Sequence, residues 1–300
     1  MERQKFRSCL TFVCCMLAAG TAQARPTSVV LHPREDKLPA QQLEDRSPKP
    51  ARDSLALLDC LNSLVRGDTA RAEKSCSEAL ARDPSEHDAY KLRGYAYLTD
   101  HRFERAGEDF RAAVRLRPRD DQDHAGLAQS FSGQGLFDQA VAEYRVAVTL
   151  APAKAPYWSA LCWARAGTGR QLSLALGECN RALALQPGTA AALNSRGLVN
   201  LRLKRFDRAI SDYNASLAAG PLQASARFGR GLARLNVGMV AKGAADISDA
   251  RRRDPDIDRL FVTLGMLPAA CGSKHVTCPS GFPALPVKVV PSVHLVAKAD

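Results

Sequence analysis

From His87 to Arg119 the chain reads HDAYKLRGYAYLTDHRFERAGEDFRAAVRLRPR, two runs of apolar and small residues on either side of a polar turn. Apolar positions recur every three or four residues in each run, the spacing that gathers them on one face of a helix. The stretch therefore predicts two antiparallel helices, and Pro118 stops the second because its ring removes a backbone donor and clashes with the preceding turn. Shifting the pattern along the chain recovers it from Asp53 to Pro255. Pro84, Pro118, Pro152, Pro187, Pro221 and Pro255 follow one another at intervals of 34, 34, 35, 34 and 34 residues. Six helical hairpins are expected, over 53–86, 87–120, 121–154, 155–189, 190–223 and 224–255.

Within each unit a small residue stands eighth (Cys60, Gly94, Ala128, Cys162, Gly197, Gly231) and another twentieth (Ala72, Ala106, Ala140, Ala175, Ala209, Gly243). A third stands twenty-seventh, as Ala79, Ala113, Ala147, Ala182, Ser216 and Ala250. Small side chains let the two helices of a hairpin approach closely. Phe103, Phe137 and Phe206 are placed to plug the turn between them, with Phe110, Tyr144, Tyr213 and Ile247 filling the space above. This register resembles the tetratricopeptide repeat family over Asp53 to Pro255. The resemblance implies an all-α, right-handed α-solenoid of six helix-turn-helix repeats that binds proteins. Three departures stand out: Ala56 and Ser63 in the first unit, one inserted residue between Gly167 and Leu172 in the fourth, and Val240 with Gly243 in the sixth. An open-ended solenoid needs a cap, and the amphipathic run ending before Pro268 fits that purpose over 256–268.

The two ends differ from this middle. Arg3, Lys5 and Arg7 precede an apolar run from Cys9 to Ala19 and the small residues Ala22 and Ala24, which predicts a secretory signal over 1–24 cleaved after Ala24. The run is too short to span a bilayer. Residues 25–52 are rich in proline and charge and read as a linker, or as an arm docking through Val29, Val30 and Leu31; residues 269–300 read as a loop and an extended tail. Beyond the signal six cysteines remain, an even number for an oxidising compartment. Cys60 with Cys76, and Cys162 with Cys179, occupy the same two facing positions of the first and fourth hairpins, so a disulfide is expected to clamp each; reduced cysteines acting as small core residues are the alternative. Cys271 and Cys278 make the third expected bridge. They flank His275, but a zinc site there lacks a fourth ligand.

Arg93, Arg196 and Arg230 stand seventh in their units, where the resembled family has an apolar core residue, and each is followed sixteen residues later by Asp109, Asp212 or Asp246. The other three units lack both members together. An arginine in that place needs a carboxylate for its fork of donors, so three ion pairs across the hairpins are expected. The resemblance also assigns the partner-binding groove to the first helices, with Lys91, Tyr95, Gln129, Trp163, Asn194, Leu198, Phe228 and Leu232 on it. Such a groove resembles those that hold an amphipathic helix or an extended peptide.

The chain carries +11 net charge and only 6% aromatic residues. The charge invites nucleic acid, but an exported chain rarely meets it, and many arginines lie near helix C-termini where the dipole favours cations. No nucleophile–base signature, phosphate loop or metal cluster is evident, and His32, His87, His101, His124, His275 and His294 fall beside no plausible partner at a helical offset. The expectation is a non-enzymatic scaffold without cofactor or metal, exported to the periplasm or beyond and binding a protein or peptide. The alternative is an envelope-structural protein docking on anionic lipid or cell-wall polymer. The charge pairs give a direct check: Arg196→Leu with Asp212 retained is expected to destabilise the fold by about 3 kcal/mol in urea denaturation, and an unchanged midpoint would remove the pair.

Overall fold

The computed structural model describes residues 51–267, with the side chains of 51–54 outside that description. Among the described residues there are thirteen helices and no strand, and the fold is an all-α repeat solenoid. The signal over 1–24, the linker up to residue 50, the tail and the Cys271–Cys278 bridge all lie outside the described residues. No described helix is long and apolar enough to cross a membrane.

The chain divides at Pro187 into two compact units. The first holds α1 (Ala51–Val65), α2 (Thr69–Arg82), α3 (His87–Thr99), α4 (Phe103–Leu116), α5 (Asp121–Gly133), α6 (Phe137–Leu150), α7 (Ala155–Thr168) and α8 (Leu172–Leu185). The second holds α9 (Ala190–Arg202), α10 (Phe206–Ala219), α11 (Ala224–Asn236), α12 (Val240–Arg253) and α13 (Ile257–Thr263). Helices pair as six hairpins. Each hairpin turns through one left-handed residue at the same place: Gly67, His101, Gly135, Gly169, Lys204 and Gly238. Glycine takes that conformation without a Cβ clash, whereas His101 and Lys204 take it at a cost of about 1 kcal/mol each. The extra residue of the fourth hairpin is absorbed by a second left-handed position, Gln171, at φ 52°.

Aromatic rings seated on glycines stack the hairpins. Phe110 is completely buried, and a Cβ built on Gly94 of its own hairpin would stand 2.9 Å from the ring. On the ring's other side a Cβ at Gly126, from the next hairpin, would overlap it outright. Tyr213 stands in the same way between Gly197 and Gly229. Phe103 and Phe137 plug their turns and also press on Gly133 and Gly167 of the following hairpins. The eighth-position small residues thus serve the hairpin, and a second set, at the sixth and thirteenth, serves the stack.

In the first and fourth hairpins a cysteine takes the place of that ring. Cys60 is joined to Cys76 and Cys162 to Cys179, each pair with Cα atoms 5.3 Å apart and all four cysteines wholly buried. A disulfide closing so short a loop adds about 3 kcal/mol in the chain-entropy account.

A polar clamp accompanies each of these contacts. Arg93 donates Nε and Nη2 to the two oxygens of Asp109, both at 2.8 Å, and Arg230 does the same to Asp246 at 2.8 and 2.7 Å. Arg196 reaches Asp212 at 2.6 Å, where Asn200 also donates at 2.8 Å. The carboxylates are buried and the arginines partly exposed, so each guanidinium keeps water while satisfying its acceptor. Arg93 and Arg230 also donate to Ser77 and Asn214 of the preceding hairpins, at 2.9 and 2.8 Å. The hairpins without this arginine clamp otherwise. Asp59 accepts from Arg71 and Ser75, His124 meets Glu143, and Arg165 holds Glu178.

Replacing Gly126 with alanine is expected to cost about 2 kcal/mol or more, since the new methyl meets a ring that the core fixes on every side. Gly177→Ala, in α8 with nothing within 4 Å of the added atom, is expected to gain about 0.5–1 kcal/mol. Paired urea melts read both signs.

Candidate partner-binding faces

In the first unit the groove residues come from three successive first helices: Lys91 and Tyr95 on α3, Gln129 on α5 and Trp163 on α7. Their environments differ. Trp163 is half-buried, its ring edge-on to Phe137 with centroids 5.5 Å apart, and Gln129 is also half-buried. Lys91 lies with Nζ 3.5 Å from both Asp88 and Asp120. Tyr95 is not a surface residue. Its ring meets Phe110 edge-on at 5.1 Å and is 3% exposed, because the ring that stacks the hairpins needs a partner on the first-helix side. What remains open here, Lys91, Gln129 and Trp163, is mostly polar.

Beside Lys91 a polar cluster joins the N-terminal ends of α3, α5 and α7. His87 places Nδ1 2.9 Å from Asp88 and Nε2 2.5 Å from Asp123. Asp120 caps α5, accepting from the backbone N–H groups of Gln122 and Asp123 at 2.9 and 3.3 Å. Asp121 accepts from Tyr157 at 2.6 Å and Lys154 at 2.5 Å. Acidic residues at a helix start complement its dipole, which accounts for part of this concentration. Burial opposes ionisation of Asp88, but the bond from His87 and the charges of Lys91 and Arg117 outweigh it and hold the carboxyl below its ordinary range. For Asp123 burial prevails over His87 and raises it. Burial also raises the Tyr157 phenol, and its bond to Asp121 adds to the effect.

Two histidines nevertheless have carboxylate partners, at offsets that no helical pattern within one element records. His87 meets carboxylates one and thirty-six residues away, and His124 meets Glu143 at 2.6 Å across its hairpin. Neither long-range contact is a helical offset within one element. One ligand atom from each of His87, Asp120 and Asp123 lies within 4.8 Å of the others, a grouping of the kind that holds a metal ion.

Of the second unit's named residues only Asn194 keeps accessible surface. Leu198, Phe228 and Leu232 are all buried, at 4%, 1% and 3% exposure. This corrects their assignment to an open groove. Phe261 of α13 lies on Phe228 with ring centroids 4.4 Å apart, and Arg251 pairs with Asp258 at 2.9 Å. Past α13, Leu264, Met266 and Leu267 are buried as well, and Arg202 of α9 donates to the Leu264 carbonyl. The cap thus reaches back across α11 to the hairpin before it. Asn194 stays half-buried and donates to Ser225 at 3.2 Å.

The tetratricopeptide repeat model matches residues 64–121, 169–224 and 205–257. No curated protein matches the chain. Among solved structures, the Cut9–Hcn1 hetero-tetramer of the APC/C is similar with a TM-score of 0.59 at 17% identity, over 70% of this chain and 43% of that one. The chain therefore spans less than half the length of that relative. A tetratricopeptide repeat protein from Parabacteroides merdae ATCC 43184 is similar with a TM-score of 0.58 at 14% identity, over 72% and 85% of the two chains. PilW, a widely conserved type IV pilus biogenesis factor, gives 0.58 at 18%, over 71% and 98%. At these identities the likeness is one of fold.

If α13 covers α11 as described, Phe261→Ala is expected to cost about 3 kcal/mol. Amide exchange is the sharper readout: protection should fall across Ala224–Asn236 and stay unchanged in α3 to α6.

Proposed function

Because this chain belongs to the tetratricopeptide repeat family, a family of protein-binding scaffolds, we propose that it is an exported adaptor holding a partner segment on the first-helix face of its first unit. The observation that carries this reading is the contrast between the two sets of groove residues. Phe228, Leu232 and Leu198 are buried, Phe228 under Phe261 of the chain's own cap, whereas Trp163, Gln129 and Lys91 keep accessible surface on three adjacent first helices. A half-exposed tryptophan braced by Phe137 is a rigid anchor of the kind that dominates interface energetics. The same three first helices carry amide, ammonium and carboxylate groups that can register a backbone. The proposed occupant is a short helix or extended peptide with one apolar side chain for Trp163. The activity is binding, without chemistry on the partner.

Export rests on other features. The basic, apolar and small-residue succession of residues 1–24 supports it, and the two buried cysteine pairs suit an oxidising compartment. A mature protein beginning at Arg25, read by mass spectrometry, is the expected product.

The test is photo-crosslinking in cells from position 163, with a photoreactive residue replacing Trp163 and adducts identified by mass spectrometry. A discrete protein adduct that survives high salt and is lost in Gln129→Ala is expected. Adducts confined to the chain's own residues 25–50 or 268–300 would overturn the adaptor reading. Association that collapses with ionic strength would instead favour docking on an anionic lipid or cell-wall polymer.

A further inference from the structure

The cluster between α3 and α5 holds more donors than capping α5 requires. His87 is the first residue of α3, while Asp120 caps α5 and Asp123 lies in its first turn. Stacking the second hairpin on the third brings one imidazole and two carboxylates together, with one ligand atom from each inside a 4.8 Å span. A carboxylate only accepts, so Asp88, 2.9 Å from His87 Nδ1, fixes a proton on that nitrogen. A carboxylate holding the far ring nitrogen is how metal-bound histidines are oriented. Nε2 then faces Asp123 Oδ2, 2.5 Å away, a contact that either a proton donated by Nε2 or a metal ion in its place can bridge.

A contact that close needs a positive species between its two atoms, a proton or a metal ion that displaces it. Asp123 is 0% exposed, and its second oxygen, Oδ1, meets no donor. A buried carboxylate oxygen without a partner costs free energy unless something polar or charged occupies its lone pairs. Asp120 has one oxygen engaged in capping α5 and the other 3.5 Å from Lys91 Nζ. Lys91 has a second carboxylate to turn to, Asp88, also at 3.5 Å.

We propose that His87, Asp120 and Asp123 bind one divalent transition-metal ion, of the manganese or zinc class, which fastens the start of α3 to the start of α5. One imidazole nitrogen with carboxylate oxygens is a mixed donor set that suits such ions better than calcium, which takes oxygen ligands alone, or copper(I), which takes sulfur. Bonds of about 2.0–2.2 Å need only small movements, His87 and Asp123 parting slightly while Asp120 draws in. Entry is from the side of half-buried Asp120, where Lys91 stands as the competing cation.

Manganese(II) is the probe, because the chain's thiols compete weakly for it. The full chain, stripped of metal, is titrated and free Mn2+ is followed by electron paramagnetic resonance. One bound ion per chain is expected, weakened more than about tenfold by Asp123→Asn or His87→Gln and about tenfold or more by Asp88→Asn. Lys91→Gln should tighten it several-fold, a direction that loss of packing alone does not produce. Asp138→Asn, at the exposed pair with Arg170, should leave affinity unchanged. Circular dichroism confirms that each variant is folded, and if Asp123→Asn does not fold, His87→Gln and Lys91→Gln decide. Absence of binding up to about 1 mM Mn2+, far weaker than a built site, would sink the proposal and leave His87 as a doubly protonated ring between two carboxylates. Equal affinity in folded His87→Gln would sink it too.

Discussion

The ring of Phe110 has a glycine on each side, one from its own hairpin and one from the next, and the rest of the stack is arranged around contacts of that kind. A ring buried between two backbones gains dispersion with both and leaves no room for a methyl on either. It sets how near the two helices of a hairpin lie and how near the next hairpin comes. In the first hairpin the position carries cysteine instead, a covalent bridge to the eighth residue replaces the ring, and the sixth residue of the next hairpin is Leu92 rather than glycine.

The polar clamps follow from the same close approach. Two helices drawn together through glycine and alanine bring their flanking side chains within hydrogen-bond reach, so a carboxylate there needs a donor from the facing helix. In five hairpins the carboxylate lies on the second helix, held by a seventh-position arginine in three and by His124 and Arg165 in the other two; in the first it is Asp59 of the first helix, held by Arg71 and Ser75. Each is local to its hairpin, yet Arg93 and Arg230 also reach the hairpin before. A clamp that spans a junction ties adjacent repeats, which matters in a structure where stability is nearly a sum of neighbour terms.

The two units put the same helix face to different uses. In the second, Phe261 lies on Phe228 and Leu264 is held by Arg202, so the cap sits on the first helices, as an end of a solenoid must be covered. In the first, that face carries a braced tryptophan, and the N-terminal ends of the same helices carry a dense group of acidic and basic side chains. Polar groups on a half-exposed face keep water accessible and are available to a partner backbone, whereas a continuous apolar strip would invite aggregation.

Period, register and helix ends were legible from residues alone. Proline spacing and the eighth, twentieth and twenty-seventh small residues repeat because each hairpin meets the same steric demand. The arginine–aspartate pairs were legible for a related reason: the two members vary together at a fixed offset inside one hairpin. Contacts between hairpins were not. Gly126, Gly133, Gly167 and Gly229 look like unremarked glycines until the preceding ring is seen against them, and Ser77 and Asn214 until an arginine from the next hairpin arrives. The same holds for His87 with Asp123, thirty-six residues apart, and for Phe228 under Phe261. A one-dimensional pattern records what every repeat shares. Which side chains meet across a junction, and which face a cap covers, depends on how one hairpin is set on another, and only the tertiary packing decides it.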